Sequence, residues 1–532
     1  MPETAAAAPT AAPSADHATD CDVLVVGGGI NGCGVARDLA GRGWRVTLAE
    51  QHDLASHTSS SSTKLIHGGL RYLEYNEFGL VRKALQEREV LLRSAPHIMW
   101  PLRFVMPHDA SMRPAWLIRL GLFLYDHLAK REVLPASTGL DLRQHAAGQA
   151  LHTRYTKGFA YSDGWVDDAR LVVLNAIDAR IRGATILTRT RVTTAQRSAT
   201  HWVATLQGHQ GAQTVRARAL VNAAGPWAEH FLRGVAIPAS GEVLAHQNLR
   251  LVKGSHIVVP RCFEHDHAYI FQNPDKRIIF AIPYEDKYTL IGTTDCEITG
   301  DPALATISPE EVRYLCDQAS RYFKQAVRPD QVVWTYTGVR PLLDDASGDP
   351  AAVTRDYLLE SDQTAAPLLT VWGGKITTFR RLAEEAATEI GRLLDQQKPV
   401  WTHNVQLPGG DLQPWAQSTG RPDHDFATFV GAFSQQHPWL PWAITQRWAR
   451  AYGSRVNQVL NGAQQLADLG AEVVPGLYEA ELRYLHQNEW ALCADDVLWR
   501  RSKLALHLSP EQREQVGLWC DTSWGTIPTP HR

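Results

Sequence analysis

Glycines and one carboxylate near the N-terminus have the spacing of a dinucleotide-binding site. Gly27, Gly29 and Gly32 lie in G-x-G-x-x-G register, and Glu50 follows 18 residues after Gly32. The first glycine allows a tight turn, the second lets a pyrophosphate approach the backbone, and the third lets a helix pack close to a sheet. A carboxylate at the end of the next strand can accept hydrogen bonds from ribose hydroxyls. The pattern predicts a bound NAD or FAD and does not choose between them.

A second glycine turn lies far downstream, at Gly373-Gly374. The apolar run LLTVW precedes it and a helical pattern follows, so the turn would aim a helix N-terminus at a ligand. Reduced flavin is anionic at its pyrimidine edge, and a helix dipole stabilises that charge. Two separate glycine turns therefore favour FAD. The alternative for Gly373-Gly374 is an ordinary strand-to-helix turn.

Hydroxyl side chains are concentrated between Ser56 and Thr63, directly after Glu50. Because the chain must return past the cofactor there, these hydroxyls could bond phosphates and ring edges; the alternative is a flexible linker. The run KLIHGGLRY (64–72) follows, and its Gly-Gly pair with basic and aromatic neighbours is unusual for a plain surface turn. The short apolar run LVNAAGPW (220–227) could return the backbone to the same sheet. These segments are further candidates for cofactor contacts.

Arginines follow a predicted strand in close succession, with Arg340 in TGVRP and Arg355 in TRD. The planar guanidinium group matches the oxygens of a phosphate group. The alternative for any single arginine is a surface ion pair. Two arginines at strand ends, together with Arg71, are stronger evidence for a phosphate-binding site than any one of these arginines alone.

The apolar patterns indicate the elements that must position these residues. Residues 23–26 predict a buried strand, residues 35–40 a helix and residues 45–49 a second strand. Residues 246–345 alternate as in an antiparallel sheet, and the chain from about residue 400 is helical and rich in tryptophan. The sequence therefore predicts an α/β protein (α+β overall).

The predicted domains follow from these patterns. Residues 1–20, rich in Ala, Pro, Ser and Thr, are expected to form a disordered tail. The remaining predicted domains are a discontinuous dinucleotide-binding domain (21–95, 160–245 and 350–395), a substrate-binding and membrane-facing domain (96–159 and 246–349), and a helical C-terminal domain (400–532).

Length and composition exclude several classes of protein. A chain of 532 residues needs more than one hydrophobic core. Its net charge of −3 gives no field that would attract nucleic acid, so no nucleic-acid partner is expected. The seven cysteines are scattered without C-x-x-C spacing, which predicts reduced thiols and no metal site. No apolar run approaches the roughly 18 residues of a membrane-spanning helix.

One segment is a candidate for contact with a membrane surface. Residues 64–131 contain eleven Lys and Arg against six Asp and Glu, and residues 114–131 form an apolar helical pattern with basic and aromatic flanks. Such a helix is too short to span a bilayer but could lie in its interface. The alternative is an internal helix with solvated ends.

Several longer runs resemble one known family, the FAD-dependent glycerol-3-phosphate dehydrogenases of the aerobic, respiratory type. The resemblance covers nearly all of the chain after Asp22 and departs from the usual pattern at Ala224, where Thr is common, and at Phe379, where Tyr is common. The runs that carry it include SSSTKLIHGGLRYLE (60–74), PAWLIRLGLFLYDHLAKR (114–131), YSDGWVDDARLV (161–172), LVNAAGPW (220–227), LVKGSHIVVPR (251–261), WTYTGVRPLLDD (334–345), VWGGKITTFRRLAE (371–384) and DDVLWRRSK (495–503).

This resemblance implies a Rossmann-like FAD-binding domain of the glutathione-reductase/D-amino-acid-oxidase type, an antiparallel substrate domain and a helical cap. It implies oxidation of sn-glycerol 3-phosphate to dihydroxyacetone phosphate, with electrons passed through FAD to a membrane quinone. The expected cofactor contacts are Gly27, Gly28, Gly29, Ile30, Asn31, Gly32, Glu50, Thr58, Ser59, Ser60, Ser61, Ser62, Lys64, His67, Gly68, Gly69, Val192, Ala224, Gly225, Gly374, Lys375 and Thr377.

The resemblance also implies the substrate site. The implied substrate contacts are Arg71, Tyr72, His256, Arg340, Arg355 and Lys375, and the implied catalytic residues among them are His256, Lys375 and Arg340. His256 is the candidate base, with His67 and Lys64 as second choices.

Partners and location follow from the same resemblance. A quinone acceptor predicts peripheral attachment to the cytoplasmic face of the cell membrane; a cytoplasmic location and a homodimer stay open. The alternatives in function are a glycerol-3-phosphate oxidase, with molecular oxygen as acceptor, and, more distantly, a non-catalytic flavin-binding module.

Overall fold

The computed structural model describes residues 20–109, 112–209, 211–238, 244, 247–275, 277–344, 356–413 and 415–526. All of the predicted tail except Asp20, and the predicted substrate contact Arg355, lie outside the described residues.

Strands and helices alternate through the first three quarters of the chain, and helices dominate the last quarter. The strands are β1 (Cys21–Val26), β2 (Val46–Ala49), β3 (Leu65–Ile66), β4 (Met99–His108), β5 (Thr138–Asp141), β6 (Lys157–Val166), β7 (Thr185–Leu187), β8 (Arg191–Arg197), β9 (Trp202–Gly208), β10 (Gly211–Asn222), β11 (Ala236–Ile237), β12 (Leu249–Pro260), β13 (Ala268–Gln272), β14 (Ile278–Tyr284), β15 (Tyr288–Gly292), β16 (Cys296–Glu297), β17 (Trp334–Leu343), β18 (Leu358–Asp362), β19 (Leu368–Trp372), β20 (Glu472–Val474) and β21 (Leu477–Tyr478). The helices are α1 (Ile30–Gly41), α2 (Phe78–Ser94), α3 (Ala115–His127), α4 (Asp168–Ile181), α5 (Ala228–Gly234), α6 (Pro309–Ser320), α7 (Phe379–Leu393), α8 (Pro422–Gln436), α9 (Trp442–Tyr452), α10 (Val456–Leu460), α11 (Glu479–Glu489) and α12 (Pro510–Trp524).

The first sheet is built around β1, whose apolar residues are buried because helices and strands cover both of its faces. Strands β19, β10, β1, β2 and β7 lie side by side and parallel, with β18 antiparallel at one edge, while β8 and β9 join β10 as an antiparallel meander. Helix α1 packs against α4 and α7. At Gly34, a Cβ atom would lie 3.0 Å from the ring of Phe379, so this glycine permits the close approach of α1 and α7.

The second sheet has the order β16-β12-β15-β14-β13-β4-β6-β3, with β17 paired to β12 and β5 paired to β6. Neighbouring strands are antiparallel except β13 and β4, as the alternating sequence predicts. This sheet reaches beyond the predicted domain boundaries: β3 pairs with it, and β6 runs on to Val166, past residue 160. Strand β6 pairs with β4 over its whole length, from Lys157 to Val166, so residues 160–166 belong to the second sheet.

The C-terminal part has its own hydrophobic core, formed by α8 to α12 and by the β20–β21 hairpin. It is attached to the first domain by buried ion pairs, among them Arg170 of α4 with Glu489 of α11. The predicted fold class is confirmed: a mostly parallel sheet packed against helices, an antiparallel sheet and a helical C-terminal domain. Within the described residues, every helix is too short or too polar to cross a lipid bilayer.

Candidate active site

A cleft of about 1090 Å³ lies between the two sheets, and both predicted glycine turns line it. The first turn contributes residues 27–31, and the second contributes residues 373–377. The serine-rich segment and the strand end at Ala224-Gly225 line the same cleft. Segments that are far apart in sequence therefore form one elongated site.

The first glycine turn has the backbone geometry that its sequence predicts. Gly27 has φ +110°, and a Cβ atom there would lie 2.5 Å from the carbonyl oxygen of Ala223. A Cβ atom at Gly32 would lie 1.9 Å from the oxygen of Gly27, so Gly32 serves packing and does not line the cleft. The Oγ atom of Ser59 accepts a hydrogen bond from the N–H of Ile30 at 3.0 Å. The serine segment thus folds over the N-terminus of α1, where free N–H groups favour an anion.

Glu50 lies at the end of β2, where the fingerprint places a ribose ligand. Its carboxylate accepts the N–H of Gly28 at 2.6 Å and the N–H of His52 at 2.7 Å. Burial raises the pKa of Glu50, and the two backbone hydrogen bonds oppose that change. These contacts fix the carboxylate beside the first glycine turn.

The second glycine turn lies directly against the first. Gly373 and Gly374 have φ values of +71° and +106°. The side-chain amide of Asn31 donates a hydrogen bond to the oxygen of Gly373 at 3.1 Å, and a Cβ atom at Gly374 would lie 2.7 Å from that amide nitrogen. The two turns therefore approach each other as a pair that leaves no room for side chains.

Basic and aromatic side chains gather at the end of the cleft beside the second turn. The ammonium group of Lys375 lies 3.9 Å from the centroid of the Tyr72 ring. Arg340 forms an ion pair with Asp295 and donates a hydrogen bond to the Oγ1 atom of Thr293 at 3.3 Å. Arg340, Lys375 and Tyr72 all line the cleft. This end combines fixed positive charge with hydrogen-bond donors, which suits a small anionic substrate.

Several predicted contacts lie behind the wall of the cleft. Lys64 is buried, with its ammonium group 2.6 Å from Asp168 and 3.2 Å from the oxygen of Ser60, so it supports the serine segment from behind. The N–H of Gly68 donates to the hydroxyl of Tyr125. The predicted residues that do not line the cleft are Gly32, Ser60, Lys64, Gly68, Gly69, Arg71 and His256. Within residues 60–69, the chain alternates between the cleft and the protein interior, which accounts for Ser60, Lys64, Gly68 and Gly69.

His256 is buried on β12 and contacts Thr63, a residue that lines the cleft. Its Nε2 atom lies 3.0 Å from the Oγ1 atom of Thr63, and its ring stacks on Tyr336 at 4.7 Å between centroids. Burial lowers the pKa of His256 well below its usual range, and the charges of Arg340 and Lys64 act in the same direction. The imidazole is therefore neutral near pH 7 and able to accept a proton through Thr63, which does line the cleft.

The cleft also contains residues that the sequence did not single out. His52 and His57 line its Glu50 end, with Nδ1 and Nε2 atoms 2.8 Å apart, and the His57 ring lies 4.7 Å from that of Trp227. Their position shortly after Glu50 in the sequence could have indicated that they lie in the cleft. Trp227 follows the strand end at Gly225, a segment that the sequence had associated with the cofactor.

Comparison with known proteins identifies the family. The model of the FAD dependent oxidoreductases matches residues 22–380, and a model described as the C-terminal domain of alpha-glycerophosphate oxidase matches residues 400–516. The chain belongs to the FAD-dependent oxidoreductases. FAD is therefore its cofactor, as the sequence predicted, and the paired glycine turns and the N-terminus of α1 fit a large dinucleotide.

Relatives match this oxidoreductase over almost its whole length. The glycerol-3-phosphate dehydrogenase of Pseudomonas aeruginosa is 50% identical and covers 98% of both chains. The aerobic glycerol-3-phosphate dehydrogenase of Escherichia coli is 46% identical over 94% of this chain and 97% of its own. The D-erythritol 1-phosphate dehydrogenase of Brucella abortus is 49% identical over 94% of this chain and 98% of its own. The glycerol-3-phosphate dehydrogenase of Bacillus halodurans, solved with FAD, has a TM-score of 0.75 at 26% identity, covering 95% of this chain and 91% of that one.

Proposed function

We propose that this flavoprotein oxidises sn-glycerol 3-phosphate to dihydroxyacetone phosphate and passes the electrons to a membrane quinone. The observation that carries the proposal is the cluster of Arg340, Lys375 and Tyr72 at the second glycine turn of the cofactor cleft. A phosphate monoester needs fixed positive charge beside the reactive end of the cofactor, and this cluster supplies it.

Arg340 is the proposed phosphate ligand. Asp295 and Thr293 hold its guanidinium group in one orientation, so little side-chain entropy is lost when an anion binds. Lys375 lines the cleft with its ammonium group over the ring of Tyr72, where it can stabilise developing negative charge on the substrate hydroxyl. Arg355 and Arg71 stay proposed substrate ligands; Arg71 lies on the same 3-10 helix as Tyr72.

Oxidation of the secondary alcohol breaks one C–H and one O–H bond. Bound FAD supplies the hydride acceptor. The hydroxyl proton leaves toward His256, whose neutral Nε2 atom is hydrogen-bonded to the hydroxyl of Thr63 at the wall of the cleft. Thr63 then acts as the proton relay. The carbonyl group of the product forms as both bonds break.

The relatives point to two substrates that share one chemical group. Glycerol 3-phosphate and D-erythritol 1-phosphate both carry a secondary alcohol next to a phosphorylated carbon, and they appear in the names of relatives of similar identity. Anaerobic titration of the protein with each compound, followed by flavin absorbance at about 450 nm, tests the proposal. We expect glycerol 3-phosphate to bleach the flavin at the lower concentration. Preference for the four-carbon compound would reassign the substrate, and no bleaching by either would indicate a non-catalytic flavin protein.

The acceptor is tested by reoxidation of the reduced protein. We expect a quinone analogue to restore the flavin spectrum faster than dissolved oxygen does. Faster reoxidation by oxygen would assign the protein to the glycerol-3-phosphate oxidases instead.

A membrane quinone requires a surface that docks on lipid, and α3 offers one. Trp116, Leu120 and Phe123 are 68%, 48% and 55% exposed and share one face of this helix, while Ile118 and Leu122 on the other face are buried. Exposed apolar side chains on one helix face are typical of an interfacial helix. Helix α3 also contacts the 3-10 helix that carries Tyr72, so lipid would lie near the substrate end of the cleft.

A further inference from the structure

A buried network of charges joins the C-terminal domain to the cofactor cleft. Asp53 accepts Arg501 at 2.5 and 2.7 Å and Arg500 at 2.5 Å. Arg500 also pairs with Asp496, which in turn accepts Arg189 at 2.8 Å. Positive and negative groups therefore alternate along one chain of five residues from two domains.

The network is joined to the backbone at the Glu50 end of the cleft through Asp53 and Arg189. Asp53 follows His52, whose N–H donates to the Glu50 carboxylate. The backbone N–H of Arg189 donates to the oxygen of His52 at 2.7 Å, and the N–H of Thr190 donates to the oxygen of Glu50 at 2.7 Å. Glu50, His52 and Thr190 line the cleft, so the network is connected to the backbone that carries the proposed ribose ligand.

Three members of the network come from a single helical turn. Asp496, Arg500 and Arg501 lie in the π-helical segment Asp496–Arg501 of the C-terminal domain. Turns of this type occur frequently at functional sites. This segment is also part of the run DDVLWRRSK (495–503), to which neither the cofactor nor the substrate chemistry assigned a role. We propose that the Asp496–Arg501 turn positions the Glu50 wall of the cleft and thereby makes FAD affinity depend on the C-terminal domain.

The physical basis is the cost of leaving a buried charge without its partner. Asp53 is 2% exposed and Arg501 is fully buried, so water cannot replace a lost contact. Burial opposes ionisation of Asp53, but the charges of Arg501 and Arg500 hold its pKa well below the usual range. The carboxylate is therefore ionised near pH 7. A variant that weakens the ion pairs of Asp53 would release the segment that contains His52. FAD would then have to order that segment when it binds, and the cost of ordering would reduce its affinity.

Two carboxylates at the same domain interface provide a matched test. Asp53→Asn weakens the network, whereas Glu489→Gln weakens the buried pair with Arg170, and neither Glu489 nor Arg170 lines the cleft. The backbone oxygen of Glu489 still accepts Arg501 in that variant. Titration of each apoprotein with FAD, followed by flavin fluorescence, gives the dissociation constant. We expect at least about a tenfold increase for Asp53→Asn, equal to about 1.4 kcal/mol, and less than about a twofold change for Glu489→Gln.

Equal losses of affinity in both variants, or no loss in Asp53→Asn, would overturn the inference. If Asp53→Asn does not fold, Arg500→Gln takes its place, because the Arg500 side chain is 15% exposed and tolerates substitution better. These readouts measure binding of FAD alone, so they do not depend on which substrate or acceptor the protein uses.

Coupling of this kind must act in both directions. FAD should therefore slow amide hydrogen exchange in residues 496–501, which lie outside the cleft, and leave α8 of the same domain unchanged. Exchange in 496–501 that is identical with and without FAD would contradict the proposal. An effect of equal size in α8 would show general stabilisation of the domain instead.

Discussion

The side-chain amide of Asn31 donates a hydrogen bond to the carbonyl oxygen of Gly373, although 342 residues separate them. Asn31 lies in the first turn of α1, and Gly373 lies in the second glycine turn. The bond connects the first glycine turn, the predicted pyrophosphate site, to the turn that precedes Lys375. Variants at the glycine turns should therefore affect binding of the cofactor, and variants at Arg340 should affect binding of the substrate.

Replacement of Gly374 by alanine should prevent stable FAD binding. Its φ of +106° disfavours any side chain, and the new Cβ atom would lie 2.7 Å from the amide of Asn31. Gly462→Ala is a matched control, because Gly462 has φ +85° but faces open space in the C-terminal domain. We expect the first purified variant to contain less than about a tenth of the flavin of the second, measured by absorbance after denaturation. Equal flavin content would show that the two turns can separate without loss of binding.

Arg340→Met should produce a yellow protein that binds substrate poorly. The substitution removes the proposed phosphate ligand from the cleft but leaves both glycine turns intact. We expect KM for glycerol 3-phosphate to rise by about 100-fold or more, as for loss of a charge-assisted contact. Arg250→Met is the control: Arg250 lies on the neighbouring strand β12, pairs with Glu297 at 2.7 Å and does not line the cleft. A normal KM in Arg340→Met would remove this arginine from the site.

His256→Gln and Thr63→Val should impair the same step. If the hydroxyl proton reaches His256 through Thr63, either change interrupts the path, and kcat should fall by about 100-fold with little change in KM. The double variant should be no slower than the worse single variant, because both residues act in one path. The dependence of kcat on pH provides the second readout. Losses that multiply in the double variant, or an unchanged pH profile, would argue for structural roles only.

His57 should make the folded protein less stable in weak acid. Burial, with the charges of His52 and Arg500, lowers the pKa of His57 to about 4. The unfolded chain takes up this proton near pH 6.5, so stability is full above that pH and declines as the pH falls toward 4. Between about pH 7.5 and about pH 5, the free energy of unfolding of the wild type should fall by about 2 kcal/mol more than that of His57→Asn. Denaturant unfolding at both pH values measures the difference; parallel losses in the two proteins would contradict the assignment.

Acidic substitutions on the exposed face of α3 should release the protein from membranes. Trp116→Glu with Phe123→Glu places charge where two large side chains are more than half exposed. We expect sedimentation with anionic phospholipid vesicles to fall by at least about tenfold, because burying a carboxylate in the interface is unfavourable. Trp442→Glu is the control, since Trp442 is 54% exposed on α9 of the C-terminal domain. Equal release by the control would place the docking surface elsewhere.

The sequence by itself determined the local elements of this protein. Gly27, Gly29 and Gly32 predicted the first turn, and the alternating strands predicted the antiparallel sheet, because both patterns express constraints on a few consecutive residues. The two glycine turns favoured FAD, the family resemblance implied it, and the comparison confirmed it. The proposed substrate residues Arg340 and Lys375 also came from matched motifs, and they stay predictions until they are tested.

Only the tertiary structure decided which residues meet. Lys64, a predicted cofactor contact, pairs through its ammonium group with Asp168, which lies 104 residues away in the sequence. His256, the predicted base, lies 3.0 Å from the Oγ1 atom of Thr63, which is 193 residues away in the sequence. The contact of Arg501 with Asp53 spans 448 residues and has no local pattern. Such contacts depend on sheet register and on the packing of separate domains, which short sequence motifs do not encode.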